Sequence, residues 1–214
     1  GRMYTKFKHP SLQQCPRHLR GALAPEYIEV DIVNCFPTIF LQLFQQNNIY
    51  IPTALTAYVA DREAFIASTG HEKKVVKEAM NSAMNFGTSL IPVIDAFGGE
   101  FRESFKALCS LPFYKKYHDL GKTRAENPHP NEPYKKAVHF CGSDVERQVI
   151  LSAIQTFQDA GFETSTVIHD GFLVRTEDDF ESFNTNTTQL LRKYTTDATT
   201  GIGYELTFST KELP

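Results

Sequence analysis

The fourteen residues Tyr27–Phe40, YIEVDIVNCFPTIF, constrain the fold more than any other stretch of the chain. They read as a strand running directly into a helix. Ile28, Val30 and Ile32 fall on one face of the strand, and Tyr27, Glu29, Asp31 and Val33 on the other. Pro37 suits the first turn of a helix, where a missing N–H costs little. Ile39, Phe40, Leu43 and Phe44 follow at helical spacing. Asp31 therefore sits near the end of a largely apolar strand, where a carboxylate is costly unless a cation or a donor meets it. Read alone, it is an ordinary half-exposed strand-end aspartate.

A second stretch changes that reading. In Thr166–Arg175, TVIHDGFLVR, two short β-branched or aromatic runs flank His169, Asp170 and Gly171. The pattern predicts a tight hairpin with Gly171 supplying the backbone freedom of the turn and Asp170 at its tip. If the hairpin lies beside the Asp31 strand, two carboxylates converge. At about 4 Å and an effective dielectric near 20 they repel by about 4 kcal/mol. Either one takes a proton or divalent cations sit between them. Paired cations between carboxylates are the arrangement of two-metal phosphoryl transfer.

The chain has 214 residues, of which 41% are hydrophobic and 22% charged, enough for one domain or a core with a smaller insertion. No apolar run approaches the length of a membrane span and no secretory signal leads the chain. Four cysteines, Cys15, Cys35, Cys109 and Cys141, are widely spaced without a CxxC pair. They read as free thiols of a reducing, intracellular compartment. The net charge of −3 disfavours a protein that coats nucleic acid, but the cations are clustered. Residues 1–24 hold Arg2, Lys6, Lys8, Arg17 and Arg20 and no acid; His71, Lys73, Lys74 and Lys77 form a second group. Such clusters suit local contact with phosphates, and equally suit plain solvated faces.

Residues 1–23 are expected to form an extended arm or hairpin, then a strand or short turn. A helix is predicted over 53–69 and another over Glu72–Phe86, stopped by Gly87. On the second, Lys73 and Lys77 stand one turn apart, placed to reach one polyanion. Ser89–Tyr117 reads as helix broken at Gly98–Gly99 and at Pro112. Leu120–Tyr134, rich in proline and glycine, reads as a surface loop. Gly142–Ala160 reads as a helix started by a capping box, Ser143–Asp144–Val145–Glu146, which accounts for both acids. A last helix is predicted over Phe180–Tyr194, and a closing strand through Tyr204, Leu206 and Phe208.

Taken together, these residues resemble a known family. Gly1–Arg2, Leu12–Gln13 and Arg17, followed by a strand carrying Asp31, are similar to the segments that lead into motif A of family A DNA polymerases. The helix with Lys77 and Phe86–Gly87 resembles their motif B, a finger helix that binds the incoming triphosphate. VHFCGSDVERQVILSA, around His139–Ala153, resembles the helix before motif C, and His169–Asp170 resembles motif C itself. The order spans nearly the whole chain and is shared by the phage-type single-subunit RNA polymerases. Gly171 stands where the family A DNA enzymes have glutamate. Motif B lacks an arginine, and its lysine-to-aromatic spacing is one residue longer. DIVNCFPTI is closer to motif A of family B, and Lys77 with Asn81–Ser82 to the family B finger helix. The chain thus resembles a divergent palm-type polymerase.

The resemblance implies an α+β fold: a palm, a small antiparallel sheet backed by helices, with a helical fingers insertion. Residues 1–50 would be the first part of the palm with its basic arm, 51–136 the fingers, and 137–214 the second part of the palm. A thumb domain or further subunits would lie outside this chain. The implied activity is nucleotidyl transfer: extension of a primer on a template from nucleoside triphosphates, with deoxynucleotides favoured. Asp31, Asp170 and the Ile32 carbonyl would hold two Mg²⁺ ions, for which Mn²⁺ can substitute. Lys73, Lys74 and Lys77 would meet the triphosphate, and Phe86 would stack near the nascent pair. Phe36 stands where the family B aromatic blocks a 2′-hydroxyl. Arg2, Gln13, Arg17 and Arg20 would contact primer or template, and His169 would orient the primer terminus. The rival readings are an RNA polymerase or primase on the same palm, an inactive nucleic-acid-binding module of polymerase descent, and a metal-dependent nuclease.

Overall fold

Tyr27–Ile32 forms β1, and its pairing on both sides organises a four-stranded antiparallel sheet of order β2-β3-β1-β4. The computed structural model describes residues 15–125, 129–168, 170–177, 183 and 203–213. Among these lie eight helices and the four strands, a mixed α+β chain. The chain divides into two compact units, Gly1–Cys35 with Asp144–Pro214, and Phe36–Ser143. These limits differ from the expected breaks after residues 50 and 136, because the first long helix shares its core with the helical unit.

In the sheet unit, β2 (Thr164–Ile168) and β3 (Gly171–Arg175) form the expected hairpin. β3 lies against β1 with Ile28 opposite Val174 and Val30 opposite Phe172. These four residues are buried, on the face that alternation assigns to the core. Phe157, from the C-terminal part of the long helix α8 (Glu132–Asp159), meets Phe172 edge-on with centroids 5.4 Å apart. On the other side of β1, β4 (Phe208–Glu212) pairs with Ile32 opposite Phe208. The strand thus begins where the sequence pattern expected it to be closing. Leu206 is buried ahead of it, and the Val33 N–H donates to the Thr207 carbonyl at 2.8 Å.

The helical unit packs around α6 (Pro92–Ser110), which contacts α3 (Thr53–Ala60), α5 (Lys73–Met84) and α7 (Pro112–Arg124). α2 (Cys35–Gln46) has Pro37 in its first turn and buries Ile39, Phe40, Leu43 and Phe44 completely. Phe40 meets Phe101 and Phe105 edge-on at 5.3 and 5.6 Å. α6 runs through Gly98–Gly99 without a break. Glycine costs a helix about 1 kcal/mol, yet a Cβ at Gly98 would lie 3.2 Å from that of Ala83 on α5. Close helix packing is what this glycine serves.

Other boundaries move for equally local reasons. The helix expected over 53–69 is split at Asp61, which caps α4 (Arg62–Thr69) by accepting from the Ala64 N–H at 2.9 Å. α5 stops through Phe86 in the left-handed region at φ 63°, not through Gly87. The Gly87 N–H then donates to Ser82 and that of Phe86 to Ala83, as in a Schellman closure. The expected loop Leu120–Tyr134 is narrower than predicted: 120–124 end α7 and 132–134 start α8, and the described residues between them are not helical. A Cβ at Gly121 would lie 2.1 Å from the Pro133 carbonyl oxygen, so α7 and the start of α8 are in close contact. Pro133 sits in the first turn of α8, where it is tolerated. α8 begins ten residues before Gly142, so Ser143 and Glu146 are buried mid-helix residues and no capping box forms. At the other end of the chain, Arg17–Leu23 is helix α1, not an extended segment. The predicted helix over Phe180–Tyr194 lies outside the described residues apart from Phe183, which is buried against Phe162.

Gly171 corrects one expectation in an informative way. Its φ is not left-handed, so the turn does not need its freedom. A Cβ there would instead lie 2.4 Å from the Val30 carbonyl oxygen and 3.1 Å from the Asp31 Cα. The obstacle is backbone, which cannot rotate aside. Gly171→Ala is expected to lower stability by about 2 kcal/mol, within the range of overpacked cores, measured as a fall in the urea midpoint without loss of cooperativity.

Candidate metal and nucleotide site

The register of β1 on β3 sets Asp31 opposite Gly171, the residue that follows Asp170. Asp170 occupies the turn between β2 and β3, and its carbonyl accepts the Ile32 N–H at 3.0 Å. Asp31, Ile32 and Asp170 are therefore drawn to the same end of two neighbouring strands from positions 139 residues apart in the chain. Both aspartates are half-buried. Close approach of β1 leaves no room for a side chain at Gly171, so a third carboxylate directly after Asp170 is sterically excluded here.

Other charged groups on this sheet face are paired, beside the buried Leu173 that stands opposite Glu29. Glu29, two residues before Asp31 on the same face, is buried and lies 3.5 Å from Arg20 of α1. The Arg20 Nε also donates to the Cys15 carbonyl at 3.2 Å. Arg20, expected on nucleic-acid phosphates, is thus only 7% exposed and turned inward, because a buried carboxylate demands a cation. Lys211 of β4 forms an ion pair with the Asp31 carboxylate. No local sequence pattern points to Lys211. Its contact with Asp31 needs the register of a strand whose position the sequence pattern misjudged.

The remaining candidates on described residues belong to the helical unit, apart from Arg17 in α1. Lys73 donates to Glu63 at 2.7 Å, and that bond holds the Glu63 carboxyl below its ordinary pKa range. Lys74 lies 4.0 Å from Glu78. Lys77 is exposed and has no ion-pair partner among the described residues, which leaves its ammonium available. Phe86, expected to stack near a nascent base pair, is 5% exposed, stacked on Tyr134 and edge-on to Phe105. Phe36 is half-buried and meets Phe40 edge-on at 6.1 Å. Its ring lies so close to Gly142 that a Cβ there would be 3.0 Å from two ring atoms. Arg2, Gln13 and His169 lie outside the described residues.

Among the described residues no helix is long and apolar enough to cross a membrane. No group of three or more His, Cys, Asp or Glu side chains is assembled for a metal among them. Cys35, Cys109 and Cys141 are buried thiols outside any disulfide, and burial pushes the Cys109 thiol up to about 12.

The fold and this placement define a mixed α+β chain with Asp31 and Asp170 at the same end of an antiparallel sheet. No family model matches the sequence, and no curated protein matches it either. Among solved structures the chain is similar to the POL domain of Pol1 from M. smegmatis, in complex with DNA primer-template and dNTP. The two are 14% identical with a TM-score of 0.48, and the match covers 88% of this chain and 40% of that one.

Lys77→Ala is expected to leave stability within about 0.5 kcal/mol of the parent, measured by thermal denaturation, because the exposed Lys77 ammonium has no ion-pair partner among the described residues.

Proposed function

We propose that this chain is a template-directed nucleotidyltransferase, a DNA polymerase that extends a primer from deoxynucleoside triphosphates. The observation that carries this reading is the β1–β3 register, which brings Asp31 and Asp170 to one end of the sheet. The ordered motifs along the chain, Asp31, then Lys77 on its helix, then Asp170, support it as well.

The donor set fits a hard divalent cation. Two carboxylates and a backbone carbonyl are all oxygen, and Mg²⁺ takes few protein ligands because it keeps waters and substrate phosphates. Asp31, Asp170 and the Ile32 carbonyl would hold it, with Mn²⁺ as a substitute. When bound, such ions supply a lowered pKa for the attacking hydroxyl and charge neutralisation for the phosphates. The chain's own residues do the rest. Asp31 on β1 and Asp170 in the adjoining turn present negative charge at one end of the sheet. Lys77 meets the β and γ phosphates and stabilises the departing pyrophosphate. The primer 3′-oxygen forms a bond to the α-phosphorus as the bond to the bridging oxygen breaks, and the hydroxyl proton passes to water. Phe36, packed against Gly142, is assigned the discrimination against a ribose 2′-hydroxyl.

Primer extension tests this. Asp31→Asn and Asp170→Asn should each lower extension about a hundredfold or more, with primer–template binding retained in a filter-binding assay. Extension at the parental rate in either variant removes that residue from the chemistry. Binding without extension in the parent chain would make it a binding module instead. For the sugar, Phe36→Ala should narrow the preference for dNTPs over NTPs about tenfold, read as the ratio of kcat/KM values. A parent chain that prefers NTPs would be an RNA polymerase or primase.

A further inference from the structure

We infer that Lys211 is a built-in counter-cation of the Asp31 carboxylate, which a divalent cation must displace to bind. The inference rests on the metal-site reading above and adds a residue that neither the motifs nor the likeness to other proteins supplies.

Three observations lead to it. First, β4 pairs with β1 so that Lys211 stands opposite Glu29 and Ser209 opposite Asp31, all on one face of the sheet. Second, Glu29 is already engaged by Arg20 of α1. The Lys211 ammonium therefore reaches diagonally along the strand and pairs with Oδ2 of Asp31. Third, the Asp31 side chain is 15% exposed and that of Lys211 42%, so the carboxylate is held inward while the lysine keeps a path to solvent.

The physical consequence is a competition. Asp170 lies in the turn at the neighbouring strand end, so two carboxylates belong to one end of the sheet, and the ammonium offsets the charge of Asp31 before any metal arrives. That same ammonium occupies a carboxylate oxygen a divalent ion would take, and its positive charge opposes the ion's approach. A lysine suits this role because its ammonium is a point charge on a flexible stem that can swing out to water. Among the described residues β4 is an edge strand of the sheet, with no ladder on its outer side for this movement to disturb. Divalent affinity is thereby set lower than two carboxylates alone would make it.

Mn²⁺ binding to the full 214-residue chain, followed by electron paramagnetic resonance without nucleotide or nucleic acid, tests this. Lys211→Met should tighten the Mn²⁺ dissociation constant about tenfold, and Lys211→Gln should move it the same way. Lys211→Arg keeps a cation and should stay near the parent, a rescue that a merely structural role would not require. In the Asp31→Asn/Lys211→Met double variant the gain should vanish. Asp31-dependent binding that is unchanged or weakened in Lys211→Met and Lys211→Gln overturns the counter-cation role and leaves the metal-site reading standing. Binding that ignores Asp31 in every variant overturns the metal-site reading and this role with it.

Discussion

The antiparallel ladder between β1 and β3 is the interaction on which the rest of the structure depends. It pairs Tyr27–Asp31 with Gly171–Arg175 and buries Ile28, Val30, Phe172 and Val174 on its apolar face. The same register decides what happens on the other face. A slip of one residue would turn Asp31 into the core and Val30 outward. Apolar burial therefore fixes which face of β1 carries the Asp31 carboxylate. The closeness of the two strands at this end also dictates Gly171, since backbone atoms of Val30 and Asp31 fill the space of a side chain.

Charge on the polar face is managed in pairs. Glu29 takes Arg20 and Asp31 takes Lys211, each cation arriving from an element that joins β1 from outside the hairpin. The first pair is buried, where removing one partner would leave an uncompensated charge. The second is partly open to water, where an ammonium is exchangeable. This difference in burial separates an ion pair that holds the fold from one available for function. On the helical unit the same division recurs: Lys73 is tied to Glu63, and Lys77 has no such tie among the described residues.

Much of this was legible from local pattern. Alternation in Tyr27–Ile32 located a strand, Pro37 located the start of a helix, and the TVIHDGFLVR run located a hairpin. Asp31 and Asp170 stood out because carboxylates at the ends of apolar strands need an explanation. The failures share a cause. Gly98, Gly121 and Gly142 read as breaks or starts, but each is a site where another element approaches too closely for a Cβ. Asp61 looked like one more polar helix residue and is a cap. Arg20 looked like a free cation of a basic arm and is the partner of Glu29. Sequence pattern reports what a residue permits; it does not report which neighbour uses the permission.

The sequence by itself determined the period of each element and hence which side chains share a face, because alternation and helical repeat follow from local backbone geometry. It also set the two aspartates at strand ends. Only the tertiary structure decided that those ends adjoin, that Lys211 meets Asp31, and that Gly171 exists for closeness and not for turning. These are contacts between segments up to 180 residues apart, and they are chosen by the packing of whole apolar faces, which no local stretch of chain specifies.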